Sequence, residues 1–247
     1  MSGWLHLTRF HARQLLRTSF FLQQALLAPL AFYLLRALGE RGTGRHLSGD
    51  LWVDAAIAGL WATTTLAVGI IGFQRFQGTL EHLAMSTLAP GTVFSALAAA
   101  ATLIGLIGVP GCVLAQVLLA RRLDISISDA LGLVAAVIAC CASASLLASL
   151  FVLLRSAVVY EPLILAPVWL LTGVVIPVAS LPSWLRPIAW VHPLTAAVLA
   201  TRASKLAEAL GYVGWSLVIA GLWLAAAHVA MRGALARVRV TGTLALS

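Results

Sequence analysis

The sequence predicts an all-α membrane protein. It has six transmembrane helices, an N-terminal interfacial amphipathic helix, a short surface helix between spans two and three, and short re-entrant outer helices between spans five and six. Three observations carry that expectation. The chain is 61% hydrophobic and only 10% charged, where soluble domains run at about a quarter charged. Its apolar residues gather into six runs, each close to the length of about 20 residues that crosses about 30 Å of hydrocarbon. The stretches between the runs are too short for a separate soluble domain, so residues 1–247 read as a single transmembrane domain.

Residues 1–18, MSGWLHLTRFHARQLLRT, are the interfacial helix. Trp4, Leu5, Leu7, Phe10, Leu15 and Leu16 supply its apolar content, and Arg9, Arg13 and Arg17 fall at i, i+4, i+8. Such a helix lies in the headgroup plane with its arginines near phosphate; the alternative is a frayed basic tail. A basic start followed by an apolar run also fits a secretory signal. The run from Ser19 to Leu38 is long for one, however, and no small-residue cleavage site follows it.

The spans are expected at 19–38, 51–73, 92–119, 130–154, 162–180 and 209–230, followed by a tail at 231–247. Six crossings put both termini on one side. Counting arginines at the two sides ends in a tie, and the basic N-terminal helix favours a cytoplasmic location for the termini. Within span three, GLIGVPG (105–111) should interrupt the helix. Pro110 removes a backbone hydrogen bond, and Gly105, Gly108 and Gly111 let a neighbouring helix approach.

The formal net charge of +8 is carried almost wholly by arginine, with Lys205 the one lysine. The arginines sit at the ends of apolar runs, which suits lipid phosphate and not nucleic acid. Cys112, Cys140 and Cys141 lie inside apolar runs and read as packing residues. His6, His11, His46, His82, His192 and His228 are dispersed without metal-ligand spacing. No Ser/His/Asp grouping or nucleotide-binding loop is present in the sequence. The chain is therefore not expected to be an enzyme or to bind a cofactor or metal.

Charged and amide side chains at bilayer depth are the functional candidates. Arg36 and Asp54, at the outer ends of spans one and two, are expected to reach the interface separately, with pairing across the loop as the alternative. Gln23, Gln24 and Gln116 should hydrogen-bond between helices or line a path. Glu161 precedes Pro162 at the start of span five and is either a solvated end residue or a contact for Arg155 or a partner.

Between spans two and three lies GTLEHLAMSTLAPG, residues 78–91. Leu80, Leu83, Ala84, Thr87 and Leu88 share one helical face, with Glu81, His82, Met85 and Ser86 opposite. Thr79 is the N-cap and Pro90-Gly91 the stop. At about 14 Å this helix is too short to cross a bilayer. It lies on a surface, where it either tidies the turn or acts as a lever for a soluble partner. Farther on, Pro182, Pro187 and Pro193 break residues 181–208 into short helices, with Trp184 and Trp190 suited to the interfacial belt. That segment closes the outward end of a pathway or forms a structural rim.

Two stretches carry a family resemblance. FQGTLEHLAMSTLAPGTVF resembles the cytoplasmic loop of ABC-2 type transporter permeases, where a GTLE-like motif followed by Pro forms the coupling helix against the ATPase. LTGVVIPVASLPSWLRPIAWVHPLTAAVLATRA, residues 171–203, is similar to that family's segment after span five. Gly173, Pro177, Leu181, Pro182, Trp184, Leu185, Ile188, Pro193, Leu194 and Arg202 take the matching positions. Glu161 departs from the pattern, since an uncharged residue is more usual there.

The resemblance implies an exporter permease of the bacterial plasma (inner) membrane, with cytoplasmic termini. Gly78, Thr79, Leu80, Glu81, His82, Leu83 and Pro90 would couple it to two ABC ATPase subunits, which carry ATP and Mg. Pro177, Pro182, Trp184, Pro187, Pro193 and Arg202 would form the outer gate. A second copy or a sister permease would complete the membrane part. The alternative is an ATP-independent secondary transporter or channel subunit, which internal repeats would favour.

Overall fold

The computed structural model describes residues 2–44, 46–76, 89–153, 163 and 166–241. Among them all regular structure is helical: α1 (Ser2–Arg17), α2 (Ser19–Gly42), α3 (Leu51–Phe76), α4 (Pro90–Gly105), α5 (Gly108–Ala120), α6 (Ile127–Leu153), α7 (Arg186–Val191), α8 (Pro193–Thr201) and α9 (Leu206–Thr241). Five described segments are long and apolar enough to cross a membrane: Ser19–Gly42, Leu51–Gly69, Gly91–Ala120, Ile127–Val152 and Leu206–Arg237. The end that carries α1 is called proximal here and the opposite end distal.

The first two helices meet at Thr18. The α1 stripe of Thr8, His11 and Leu15 packs on the bundle, while Arg9, Arg13 and Arg17 stay exposed. Trp4 fastens the helix to α4 by donating its indole N–H to Ser95 Oγ at 3.1 Å. The expected interfacial helix is thus docked sideways against span three. From Ser19, α2 buries every fourth residue (Phe21, Ala25, Pro29, Tyr33 and Ala37) and exposes Leu27, Leu35 and Leu38. That single stripe makes α2 a peripheral helix.

The α3 helix occupies the centre, against α2, α4, α5 and α6. Small residues let the neighbours close in. Pro29 of α2 wedges between Gly59 of α3 and Gly108 of α5, and a Cβ at either glycine would collide with its ring. Span three breaks between α4 and α5 at Leu106–Ile107. The residue without an N–H, Pro110, lies four positions beyond Leu106, whose carbonyl bonds Val109 N at 3.1 Å in a tighter turn. The interruption expected at Pro110 is present for that reason.

A reciprocal cap opens α6: Asp129 Oδ2 accepts from Ser126 N at 2.8 Å and Ser126 Oγ at 2.9 Å, while Asp129 N donates to Ser126 Oγ at 3.1 Å. Two cores stack along the bundle. The proximal one joins Leu15, Phe21, Ile71, Phe94, Phe151 and Leu235. The distal one joins Tyr33, Leu51, Trp61, Cys140, Leu194 and Val198. Cys112 and Cys140 are buried and unbridged, in keeping with packing roles.

Two expected boundaries move. The apolar run at 162–180 is α-helical only at 163 and 166–171 among its described residues, because Gly173, at φ +89°, leaves helical space. At the other extreme, α9 runs on through Thr241 where a tail was expected from residue 231. Ala, Met and Arg after Ala230 are good helix formers, and Met231, Ala234 and Leu235 bury into the proximal core. Falling hydropathy marked the end of the apolar run, not the end of the helix.

Candidate functional site

The distal segment 172–205 gathers a polar network that includes Arg36, Asp54 and Arg202. It begins where the helical stretch 166–171 stops. Trp169 anchors that stretch by donating its indole N–H to Ala58 O of α3 at 3.2 Å. Thr172 folds back, its Oγ1 donating to Val168 O at 2.7 Å. The Gly173 turn then releases the carbonyls of residues 173–175 from helical bonding.

A helix C-terminus needs donors for its last carbonyls and favours positive charge. Two arginines bring that charge to the helix end and donate to the carbonyls of the turn just beyond it. Arg202, at the C-cap of α8, donates through Nη2 to Gly173 O at 2.8 Å. Arg36 of α2 donates through Nη1 to Val175 O at 3.0 Å and Val174 O at 3.4 Å.

The same arginines share one carboxylate. Arg202 Nη2 lies 3.0 Å from both Asp54 oxygens, and Arg36 Nη2 lies 3.5 Å from Oδ2. Asp54 stands in the first turn of α3, where the helix dipole favours an anion. Its side chain is 11% exposed, against 29% for Arg36 and 27% for Arg202. The expectation that Arg36 and Asp54 reach the interface separately is therefore corrected. Three charged groups and a turn bind together α2, α3, the end of 166–171 and α8.

The prolines divide the segment as expected. Pro177 precedes the 3-10 turn Val178–Ser180, whose end is closed by Arg186 donating to Ala179 O at 2.7 Å and Leu181 O at 2.9 Å. Pro182 opens the turn to Leu185, Pro187 lies in the first turn of α7, and Pro193 starts α8. Trp184 stands outward at 69% exposure, in keeping with a place at a membrane boundary.

Between α7 and α8, His192 is the joint that sequence reasoning overlooked. Its Nδ1 accepts from Leu194 N at 3.2 Å, capping α8. Trp61 and Trp223 place their rings edge-on to the imidazole at centroid distances of 5.6 and 4.9 Å. Ser216 Oγ of α9 donates to Pro193 O at 2.9 Å, and almost all of α8 is buried. The available signal was His-Pro inside an apolar run: a cap residue followed by the residue that begins helices.

The remaining candidates separate. Gln116 is buried and bridges two loops, donating through Nε2 to Ser48 O and Arg122 O, each at 2.9 Å. It is a tie at the distal rim. Gln23 is exposed and Gln24 half-buried, and neither hydrogen-bonds through its side chain among the described residues; the interhelical bonds expected of them are not made there. Gly78, Thr79, Leu80, Glu81, His82, Leu83 and Glu161 lie outside the described residues. Pro90 is the first residue of α4.

A family model for the ABC-2 type transporter matches residues 4–206. The chain belongs to the ABC-2 type transporter family. The match runs from α1 to the start of α9 and so takes in both motif stretches and the whole Arg36–Asp54–Arg202 cluster. No curated protein and no solved structure matches the chain. As an ABC-2 membrane domain, the chain is a transporter component, and its apolar helices make it a multi-pass membrane protein.

Proposed function

We propose that this chain is the permease subunit of an ATP-binding cassette exporter in a bacterial plasma membrane, and that the segment 172–205 is its outward gate. The proximal end, with both termini, faces the cytoplasm. The apolar run that leads into the gate, ending at residue 171, belongs to the sixth crossing. Two ABC ATPase subunits dock on Gly78–Leu83 and Pro90, and ATP and Mg reside on them, not on this chain. A second copy or a sister permease completes the path.

The observation that carries this reading is the place of α3. Its first turn holds Asp54 in the distal cluster, and its far end at Phe76 leads directly into residues 77–88. One rigid helix of about 39 Å therefore joins the expected motor contact to the lock on the distal segment. Closure of the ATPases would displace residues 79–88, tilt α3 and draw Asp54 away from Arg202. Turning a two-state element from 1:99 to 99:1 takes about 5.5 kcal/mol, well above the worth of one partly exposed ion cluster.

The test is a reconstituted complex carrying Glu81→Arg or Leu83→Asp. Both variants should insert normally and lose substrate-stimulated ATP hydrolysis. Undiminished turnover in both removes the coupling assignment. Transport by the chain without any ATPase would establish the ATP-independent alternative.

A further inference from the structure

Pro193 cannot donate a helical hydrogen bond, so the ladder of the outer segment stops at His192. That residue is extended, at φ −88° and ψ 125°, as a residue before proline tends to be. The α7 carbonyls that face the break need other donors. His192 N and Thr195 Oγ1 donate to Ala189 O from within the segment. Val191 O is served from outside: Trp223 of α9 donates its indole N–H at 3.1 Å. Two turns away on the same helix face, Ser216 Oγ donates to Pro193 O at 2.9 Å. Helix α9 therefore holds the chain by one hydrogen bond on each side of the joint. The joint also lies deep. Trp223 stands about 25 Å along α9 from Leu206, and Ser143, 3.5 Å from His192 Nε2, stands about 24 Å along α6 from Ile127.

The two sides of His192 differ in what holds them. On the far side, α8 belongs to the bundle. Leu194 and Val198 sit in the distal core. Gly132 of α6 lets α8 come so near that a Cβ there would collide with Ala197 O and the Thr201 backbone. On the near side, residues 174–191 hold themselves together. Val178, Leu181 and Ala189 form a small core of their own, with Leu171 and Leu185 packed against it. Arg186 closes the turn onto Ala179 O and Leu181 O, while Ile188 and Val191 are 50% and 58% exposed. One end of this unit is held through the carbonyls of Val174 and Val175 on Arg36. The other end is held by Trp223.

We propose that His192 is the pivot of the outer segment. Residues 174–191 swing as one flap, α8 stays fixed in the bundle, and Trp223 is the positioning residue that sets the closed angle of the flap. The proposal rests on the reading of 172–205 as the gate and divides that gate into a moving and a fixed part. Loss of the contacts around Asp54 and Arg202 frees one end of the flap. Because α9 keeps the other end in place, the flap turns about the joint and keeps its own hydrogen bonds.

The experiment places spin-label pairs on the full-length chain in lipid nanodiscs, with Cys112, Cys140 and Cys141 replaced by alanine. Distances are read by double electron–electron resonance. Ser180→Cys with Ile127→Cys reports the flap, and Leu206→Cys with Ile127→Cys reports the bundle; all three positions are exposed. Trp223→Phe keeps a ring beside His192 and removes the N–H. It should raise the fraction of flap distances outside the wild-type peak about tenfold, the weight of one hydrogen bond in a two-state equilibrium. The bundle pair should not change. Ser216→Ala, which cuts the bond on the fixed side, should match wild type in both pairs. A wild-type flap distribution in Trp223→Phe overturns the pivot. Equal shifts in Trp223→Phe and Ser216→Ala would mean that the segment moves whole, which overturns it too. A change in the bundle pair would make Trp223 a general packing residue, with the same consequence. Asp54→Asn frees the far end of the flap and tests the gate reading separately. A shift there with none in Trp223→Phe leaves the gate and removes the pivot, and the reverse removes the lock and leaves the pivot.

Discussion

Helices α3 and α9 are both long and apolar, with mean hydropathies of 1.4 and 1.7 over their membrane-length stretches, yet 94% of the first stretch is buried and only 17% of the second. Hydropathy does not separate them; position does, since α3 is packed between α2, α4, α5 and α6 whereas α9 lies along α6 and α8 with one face left open. Facing its neighbours, α3 has Ala55, Ala56, Ala58, Gly59 and Ala62, and two of its three threonine hydroxyls bond back to its own carbonyls, while Thr63 Oγ1 has no partner among the described residues. Thr64 donates to Leu60 O at 2.6 Å and Thr65 to Trp61 O at 2.9 Å. By contrast α9 turns Leu217, Val218, Leu222 and Val229 outward. Without a hydrophobic drive between helices in lipid, close packing decides which helix goes to the middle. The helix that packs close on several sides, with Ala and Gly at the near contacts and Trp61, Ile57 and Leu60 filling the core, becomes the post that others surround, and here it also carries Asp54.

The contrast can be broken most forcefully at Gly59. Gly59→Leu should drive a side chain into Pro29 and its backbone, at a cost of about 3 kcal/mol or more. The thermal midpoint in detergent should fall accordingly, and an unchanged midpoint would mean that α2 and α3 are not in contact at Pro29. A smaller effect is expected at Asp54. Asp54→Asn leaves two guanidinium groups without their anion and should cost about 2 kcal/mol, below the full value for a buried pair because both arginines are partly exposed. It should also make residues 172–205 more accessible to protease, a change that general destabilisation in Gly59→Leu need not share. The smallest effect belongs to α9: Leu222→Ala, on its exposed face, should move stability by less than about 0.5 kcal/mol.

Some details were legible because their cause is local. The break in span three follows from Pro110 alone, the short outer helices from three spaced prolines, and α1 from its arginine spacing. The distal cluster was not legible in the same way. Arg202 lies 148 residues from Asp54, and no periodicity connects them. The available hint was a lone carboxylate just inside one apolar run with arginines at the same depth in two others. Gln116 shows the same limit: read as a pathway or interhelical residue, it ties the loops at Ser48 and Arg122, a role set by how those loops come together.

Hydropathy, proline placement and helix-forming residues act within a turn or two of the chain. From them alone follow a membrane protein, the approximate spans, the helix break and, through motif resemblance, the transporter family. Which span stands at the centre, and that Arg36 and Arg202 share Asp54 as their partner, both arise when distant helices pack. Those features depend on the depth and facing of groups far apart in the chain, and only the folded bundle brings them within hydrogen-bonding reach.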